Sequence, residues 1–353
     1  MILLFCVFWM NLTSALQDVA VDAFAISLLK PSELGIGSTL QVVGYKVGAL
    51  FGGGLLAWLS VYCSWEWLFT LWGFFYIATL IVVLLNKNTE SCTQHNKRED
   101  VTYRDRTKES IHDLGVSTNS KHGENSSVNQ IPISNDYTCK TGKLSVKHIV
   151  ETIFKTSDFL WLVCCVLTYK LGEQGVVSML PLYLIDQGIP QDQVGVIFGI
   201  FGQVFSITGS TLGGWIVGLH HGQRSWVIKV LLWTSFARLI PLASVWILSL
   251  TTLTKSSVII LECFIQLTGG TVTTATFTLM MLSSQSSSPG IRATHGAILA
   301  TAEVLGKLSM ISLSGILVDN IGYHFFFGFC TVLALLAIPV LQPGLISPSK
   351  KTL

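Results

Sequence analysis

Lys170, Glu173 and Gln174 stand at i, i+3 and i+4 in the middle of an otherwise apolar run, FLWLVCCVLTYKLGEQGVVSMLPLYLI, from Phe159 to Ile185. On a helix that spacing puts all three on one face. The run is long enough to cross a bilayer, and an ionised side chain at membrane depth costs about 2.5–3.5 kcal/mol on insertion scales. Such charges persist where they face a protein interior or a wet cavity, and there they handle charged solutes or protons. Gly172 and Gly175 remove bulk beside them, so that a second helix or a ligand can come close. A Lys–Glu pair that merely fixes helix packing is the plainer reading of the same residues.

The other ionisable groups in apolar runs fall into the same class. Asp18 and Asp22 are i, i+4 on one face. Glu262 and Gln266 precede a threonine series, Thr268, Thr271, Thr273, Thr274 and Thr276, whose hydroxyls in a membrane helix more often bond back to their own helix than to a ligand. Glu303 and Lys307 have the i, i+4 order favoured for a helix ion pair. Lys46 is a cation for Asp18 or Asp22 to pair with, or for a solute to meet. Arg238, one turn before Pro241, is placed to stabilise a kink there. The series Gly44/Gly48/Gly52, Gly195/Gly199 and Gly209/Gly213 has small-xxx-small spacing, which serves helix packing. No HExxH, GxSxG or GxGD occurs, and the eight cysteines lack metal-ligand spacing. The sequence therefore reads as a non-enzyme with no cofactor and no metal.

The elements that must hold these residues are membrane helices. Half the residues are hydrophobic and only 12% are charged, against about 25% in soluble domains. Nine apolar segments qualify as spans: 2–29, 39–60, 65–86, 159–185, 193–219, 227–250, 257–282, 294–318 and 323–345. The first resembles a signal peptide at its start but lacks a positive leading region and continues through Asp22, which favours a true span. Residues 87–147 form a polar loop with no hydrophobic periodicity, expected to be disordered. Of the 22 Lys and Arg, 17 fall on the side of that loop, one (Lys255) on the other, and four lie within spans. The positive-inside rule makes the loop and the C-terminus cytoplasmic. The organisation expected is an incomplete N-terminal half (1–86), the loop (87–147) and a six-helix C-terminal half (148–353).

A short repeat supports two related halves: Gln41-Val-Val-Gly44 echoes Glu303-Val-Leu-Gly306, and at the same offset Gly53 meets Gly315. The strings Ser14-Ala-Leu-Gln-Asp-Val-Ala-Val-Asp22, Thr168-Tyr-Lys-Leu-Gly-Glu-Gln-Gly175, Thr271-Val-Thr-Thr-Ala-Thr-Phe277, Ala293-Thr-His295 and Ala302-Glu-Val-Leu-Gly-Lys307 resemble the acetyl-CoA transporter and muropeptide permease branch of the major facilitator superfamily. Gly315-Ile-Leu-Val-Asp-Asn-Ile-Gly322 matches that superfamily's common GxxxDxxG pattern at a helix end. The resemblance implies an all-α polytopic bundle in which the nine spans are the fourth to twelfth of twelve. It also implies that the first, fourth and seventh spans present line a central cavity. The function it implies is secondary transport of an organic anion such as acetyl-CoA by alternating access. The carboxylates within spans (Asp18, Asp22, Glu173, Glu262, Glu303) outnumber the four cations by one, and Glu173, the most central, is the first choice as carrier of a coupled proton. The competing reading is a transport-inactive or regulatory short form. The partners expected are the lipid bilayer of the plasma membrane or an intracellular membrane and a small solute. The expected state is a monomer with no nucleic-acid partner.

Overall fold

The computed structural model describes residues 2–30, 32–55, 59–60, 62–85, 157–220, 223–251, 255–287 and 291–342. The expected disordered loop at 87–147 lies outside them. The described residues are helical almost throughout: α1 (Ile2–Leu28), α2 (Leu34–Ala49), α3 (Trp65–Leu85), α4 (Ser157–Thr168), α5 (Leu171–Asp186), α6 (Gln191–Val196), α7 (Gln203–Gly218), α8 (Arg224–Leu248), α9 (Lys255–Gln285) and α10 (Arg292–Leu341). Two π-helical turns continue regular helices, Leu50–Leu55 after α2 and Ile197–Gly202 between α6 and α7. Among the described residues, seven helical stretches are long and apolar enough to cross a membrane, α4 with α5 and α6 with α7 each counting as one. Side chains such as Phe8, Trp67, Phe74 and Trp233 point outward, as a surface wetted by acyl chains requires.

The structure refines the expected spans at three places. The second begins at Leu34, ahead of the expected start at 39. The fourth is not one helix: Tyr169 and Lys170 form a turn between α4 and α5. The eighth and ninth are two helical limbs of α10, 292–321 and 323–341, that meet with almost no loop between them. The chain reverses at Gly322, which takes φ 76° and ψ 161°, a conformation open to glycine and costly for other residues. Contacts on both sides show the fold-back. Gly175 lies against Met310 from the first limb of α10 and against Phe326 and Cys330 from the second. Trp161 Nε1 donates to the Val340 carbonyl (2.7 Å), while Gly306 packs on the backbone at Leu167. The GxxxDxxG string thus ends on the residue that turns the chain around.

An extensive apolar cluster joins α5, α6, α8, α9 and both limbs of α10, with Val176, Leu180, Leu184, Leu242, Ile265 and Phe326 among its buried members. Small residues bring the backbones together. A methyl group at Gly172 would strike the Cys330 carbonyl, and one at Gly209 the Leu267 carbonyl. Those close approaches place α5 against α10 and α7 against α9, and the polar residues lie along these seams.

Candidate functional site

The turn at Tyr169–Lys170 is where the buried polar groups converge. Breaking the span there leaves the Tyr169 carbonyl free of its helical role, and Arg238 Nη2 donates to it at 2.6 Å. Arg238 Nη1 also donates to Glu173 Oε2 at 2.9 Å, with both side chains almost fully covered. This corrects the expectation that Arg238 serves the kink at Pro241: its guanidinium satisfies a broken helix and a carboxylate 65 positions away. The expected Lys170–Glu173 pair is present but long, 3.8 Å, because Lys170 caps α5 instead of sitting within it. Lys170 Nζ reaches Thr273 Oγ1 at 2.7 Å. Gln174 is half-buried one residue beyond Glu173.

A second pair extends the cluster. Lys307 Nζ lies 2.9 Å from Glu303 Oε1, and the Tyr169 hydroxyl donates to that same oxygen at 2.8 Å. Polar groups therefore link Thr273, Lys170, Glu173, Arg238, Tyr169, Glu303 and Lys307 across α5, α8, α9, α10 and the turn that follows α4. In both lysine pairs the cation is the more accessible partner: Lys170 is 14% exposed against 6% for Glu173, and Lys307 25% against 5% for Glu303. Gly269 makes room for the Glu173 carboxylate.

Lys46 enters from α2 and is buried. It does not pair with Asp18 or Asp22, one of the two readings its sequence context allowed. Its Nζ instead donates to Ser206 Oγ (2.7 Å), Ser210 Oγ (2.7 Å) and the Ser206 carbonyl (3.0 Å) on α7. An ammonium has three donors, and these three oxygens use them all. Lys46 also lies within Coulombic reach of Lys170, Glu173 and Lys307. Burying an ion costs several kcal/mol even after relaxation, and here neutral oxygens alone offset it by direct contact.

The remaining expected residues separate. Glu262 is fully buried on α9; Gln266 Nε2 donates to its Oε1 at 2.8 Å, while Oε2 has no hydrogen-bond partner among the described residues. Asp22 takes a hydrogen bond from Gln41 Nε2 and borders a small cleft with Ile26, Phe277, Met280 and Ser284. Asp18 lies on the exposed part of α1, outside the cluster. The threonines bond back to their own helix, at Phe264, Leu267, Gly269, Gly270 and Val272 carbonyls. Thr271 in addition reaches the Gly209 carbonyl on α7 (3.0 Å), and Thr273 accepts Lys170.

Sequence reasoning missed Tyr169, Ser206 and Ser210. Tyr169 adjoins the charges and was legible as a neighbour. The two serines are i, i+4 on the face that carries Gly209 and Gly213, a signal that reads as packing alone.

Comparison with known proteins agrees with this architecture. Residues 2–306 match the family model described as Major Facilitator Superfamily. The chain is 24% identical over 335 residues to "Anhydromuropeptide permease" of Escherichia coli strain K12, covering 94% of this chain and 56% of that protein. It is 23% identical to "Putative transporter AmpG 1" of Rickettsia prowazekii, covering 96% of this chain and 74% of the relative, and 20% identical to the Rickettsia bellii protein of the same name, covering 93% and 70%. The chain thus spans little more than half the length of the Escherichia coli permease. A match over residues 2–306 and a bundle of membrane helices that carries buried charges on its inner seams make this chain a multi-pass membrane protein of the Major Facilitator Superfamily.

Proposed function

We propose that these helices form the path of a secondary transporter that moves an organic anion by alternating access. The observation that carries the reading is the asymmetry of the two lysine pairs, in which Lys170 and Lys307 are accessible and Glu173 and Glu303 are covered. A solute entering the bundle meets ammonium groups before carboxylates. Acetyl-CoA, whose phosphates suit such cations, is the first solute to try, together with the anhydromuropeptide named for the Escherichia coli relative.

The same reading assigns a coupled proton to Glu262. Protonating Glu173 would leave Arg238 buried without its carboxylate, a large cost. Glu262 carries no such partner among the described residues and has one oxygen unbonded, so gaining a proton there breaks no ion pair. The protein acts as a monomer in the plasma membrane or an intracellular membrane, with residues 87–147 and the C-terminus cytosolic, following the 17-to-one split of basic residues.

The test is uptake into proteoliposomes of the purified protein. Labelled acetyl-CoA or anhydromuropeptide should accumulate, and an inward proton gradient should raise the rate. Lys170→Ala and Lys307→Ala should each lose uptake while still reaching the membrane, and Glu262→Gln should remove the gradient's effect. Transport of a neutral or cationic solute that neither anion inhibits overturns the substrate reading. A wild-type rate indifferent to the gradient overturns the coupling.

A further inference from the structure

Among the described residues, α1 packs on α10, where Gly296 lies against Ile26, and a series of further contacts joins α1 and α2 to α7 and α9. At one end, Gln285 Nε2 on α9 donates to the Ile26 and Leu29 carbonyls at the close of α1 (2.9 and 2.8 Å). Next, a methyl group built on Gly35 of α2 would touch Gly214 and Gly218 of α7, and Ser38 Oγ meets Thr278 Oγ1 of α9 at 2.6 Å. Thr39 then packs on Gly214. Lys46 on Ser206 and Ser210 completes the series. From Gly35 to Lys46 the helix rises about 16 Å, roughly half the hydrocarbon thickness of a bilayer. The buried face of α2 runs through Leu34, Gly35, Ser38, Val42 and Lys46 and goes no farther; Ala49, Phe51 and Gly52 beyond it are exposed.

Lys46 is therefore the innermost of these contacts, set where the closed end gives way to the polar cluster. The others are uncharged and short-ranged. This one is an ammonium on neutral oxygens, and an anionic group offers it a stronger, charge-assisted partner. We infer that the Lys46–Ser206–Ser210 contact is the inner bolt of the closed end, and that an anion bound beside Lys170 and Lys307 releases it by drawing the Lys46 ammonium off the serines. Lys46 is on this view a positioning residue, one that converts solute charge into separation of α2 from α7. The release step rests on the organic-anion reading; the bolt does not.

Disulfide trapping separates the two. Ser38→Cys with Thr278→Cys places thiols where the hydroxyls now meet, and mass spectrometry of the joined peptides distinguishes this bridge from the native cysteines. In membranes, with no solute added, Lys46→Met in that background should slow oxidative cross-linking severalfold, because the closed end opens more often. Methionine keeps the stem's bulk and leaves no buried charge, so the protein still folds. Ser210→Ala should slow it by less. An unchanged rate in Lys46→Met overturns the bolt. Acetyl-CoA should slow cross-linking with Lys46 present and have no effect in Lys46→Met. Equal effects of acetyl-CoA in both backgrounds, or transport of acetyl-CoA with no change in cross-linking, overturn the release step. Failure of acetyl-CoA uptake, read separately in proteoliposomes, counts against the organic-anion reading, while the solute-free cross-linking rates still decide the bolt.

Discussion

Arg238 and Lys46 are both buried cations, and they are buried in opposite ways. Arg238 has a carboxylate from α5 and a freed carbonyl from the turn before it, and its own helix α8 lies on the same side of the polar loop in sequence. Among the described residues Lys46 meets only hydroxyls and a carbonyl, and these come from across the loop. The guanidinium pair fills its geometry with charge on charge, and any motion that parts it leaves two ions stranded. The ammonium gives up three neutral bonds and can regain them elsewhere. One arrangement suits a scaffold, the other a joint that opens and closes.

The sharpest way to break this contrast is to remove one member of the scaffold pair. Arg238→Met leaves Glu173 buried with only the long contact to Lys170, and Glu173→Ala leaves Arg238 buried without a carboxylate. Each should cost about 3–5 kcal/mol, read as loss of monodisperse protein in detergent or a strongly lowered unfolding temperature. The double variant Arg238→Met/Glu173→Leu should recover much of that loss. If either single variant is as stable as the parent, the pair is not a scaffold.

Gly172→Ala tests the seam that holds the scaffold in place. The added methyl group meets the Cys330 carbonyl, and overpacking of this kind costs about 1–3 kcal/mol. Thermal unfolding followed by tryptophan fluorescence measures it, and an unchanged midpoint would mean that α5 and α10 are free to part.

Lys46→Met should fall well below both. It exchanges one buried ion for an apolar side chain of similar length, and replacement of a buried charge by packing is often neutral or better. The expected result is an unfolding temperature close to the parent's with impaired uptake. A collapse like that of Arg238→Met would erase the distinction between the two cations.

Lys307→Ala should also cost less than loss of Arg238. The Lys307 ammonium is partly exposed, and the Tyr169 hydroxyl still donates to the covered Glu303 carboxylate once it is gone, so the loss stays below the about 3–5 kcal/mol of a fully buried pair. Uptake should fall far more than stability, and a proportionate fall in both would make Lys307 a packing residue.

The contrast also explains what was legible in the sequence. Apolar runs set the helices because length and hydropathy are local properties. The Glu303–Lys307 pair was legible for the same reason, since both residues lie on one uninterrupted helix. The face shared by Lys170 and Glu173 was only partly so: i, i+3 spacing presumes a continuous helix, and the chain turns at Tyr169–Lys170. The partner of Arg238 was hidden because tertiary packing alone brings residues 65 apart together. For Lys46 the sequence offered the aspartates or a solute as partners, because charge pairing looks for opposite charge, whereas its partners are two serines on an apolar helix. Gly322 was marked by a motif, yet the absence of any loop between the last two spans was not, since apolar runs on either side of a glycine look alike whether joined or separated.

The break at Tyr169–Lys170 bears on how the protein is made. Synthesis delivers α4 and α5 to the membrane before α8, with the Glu173 carboxyl and the Tyr169 carbonyl both lacking the arginine. The ribosome must add 65 more residues after Glu173 before Arg238 exists to answer both. Throughout that interval the half-made span is a poor guest for lipid, so α5 has reason to linger beside the insertion machinery until α8 arrives. Assembly of this region is then ordered by the chain itself, with the arginine as the signal that the earlier helices are ready to leave.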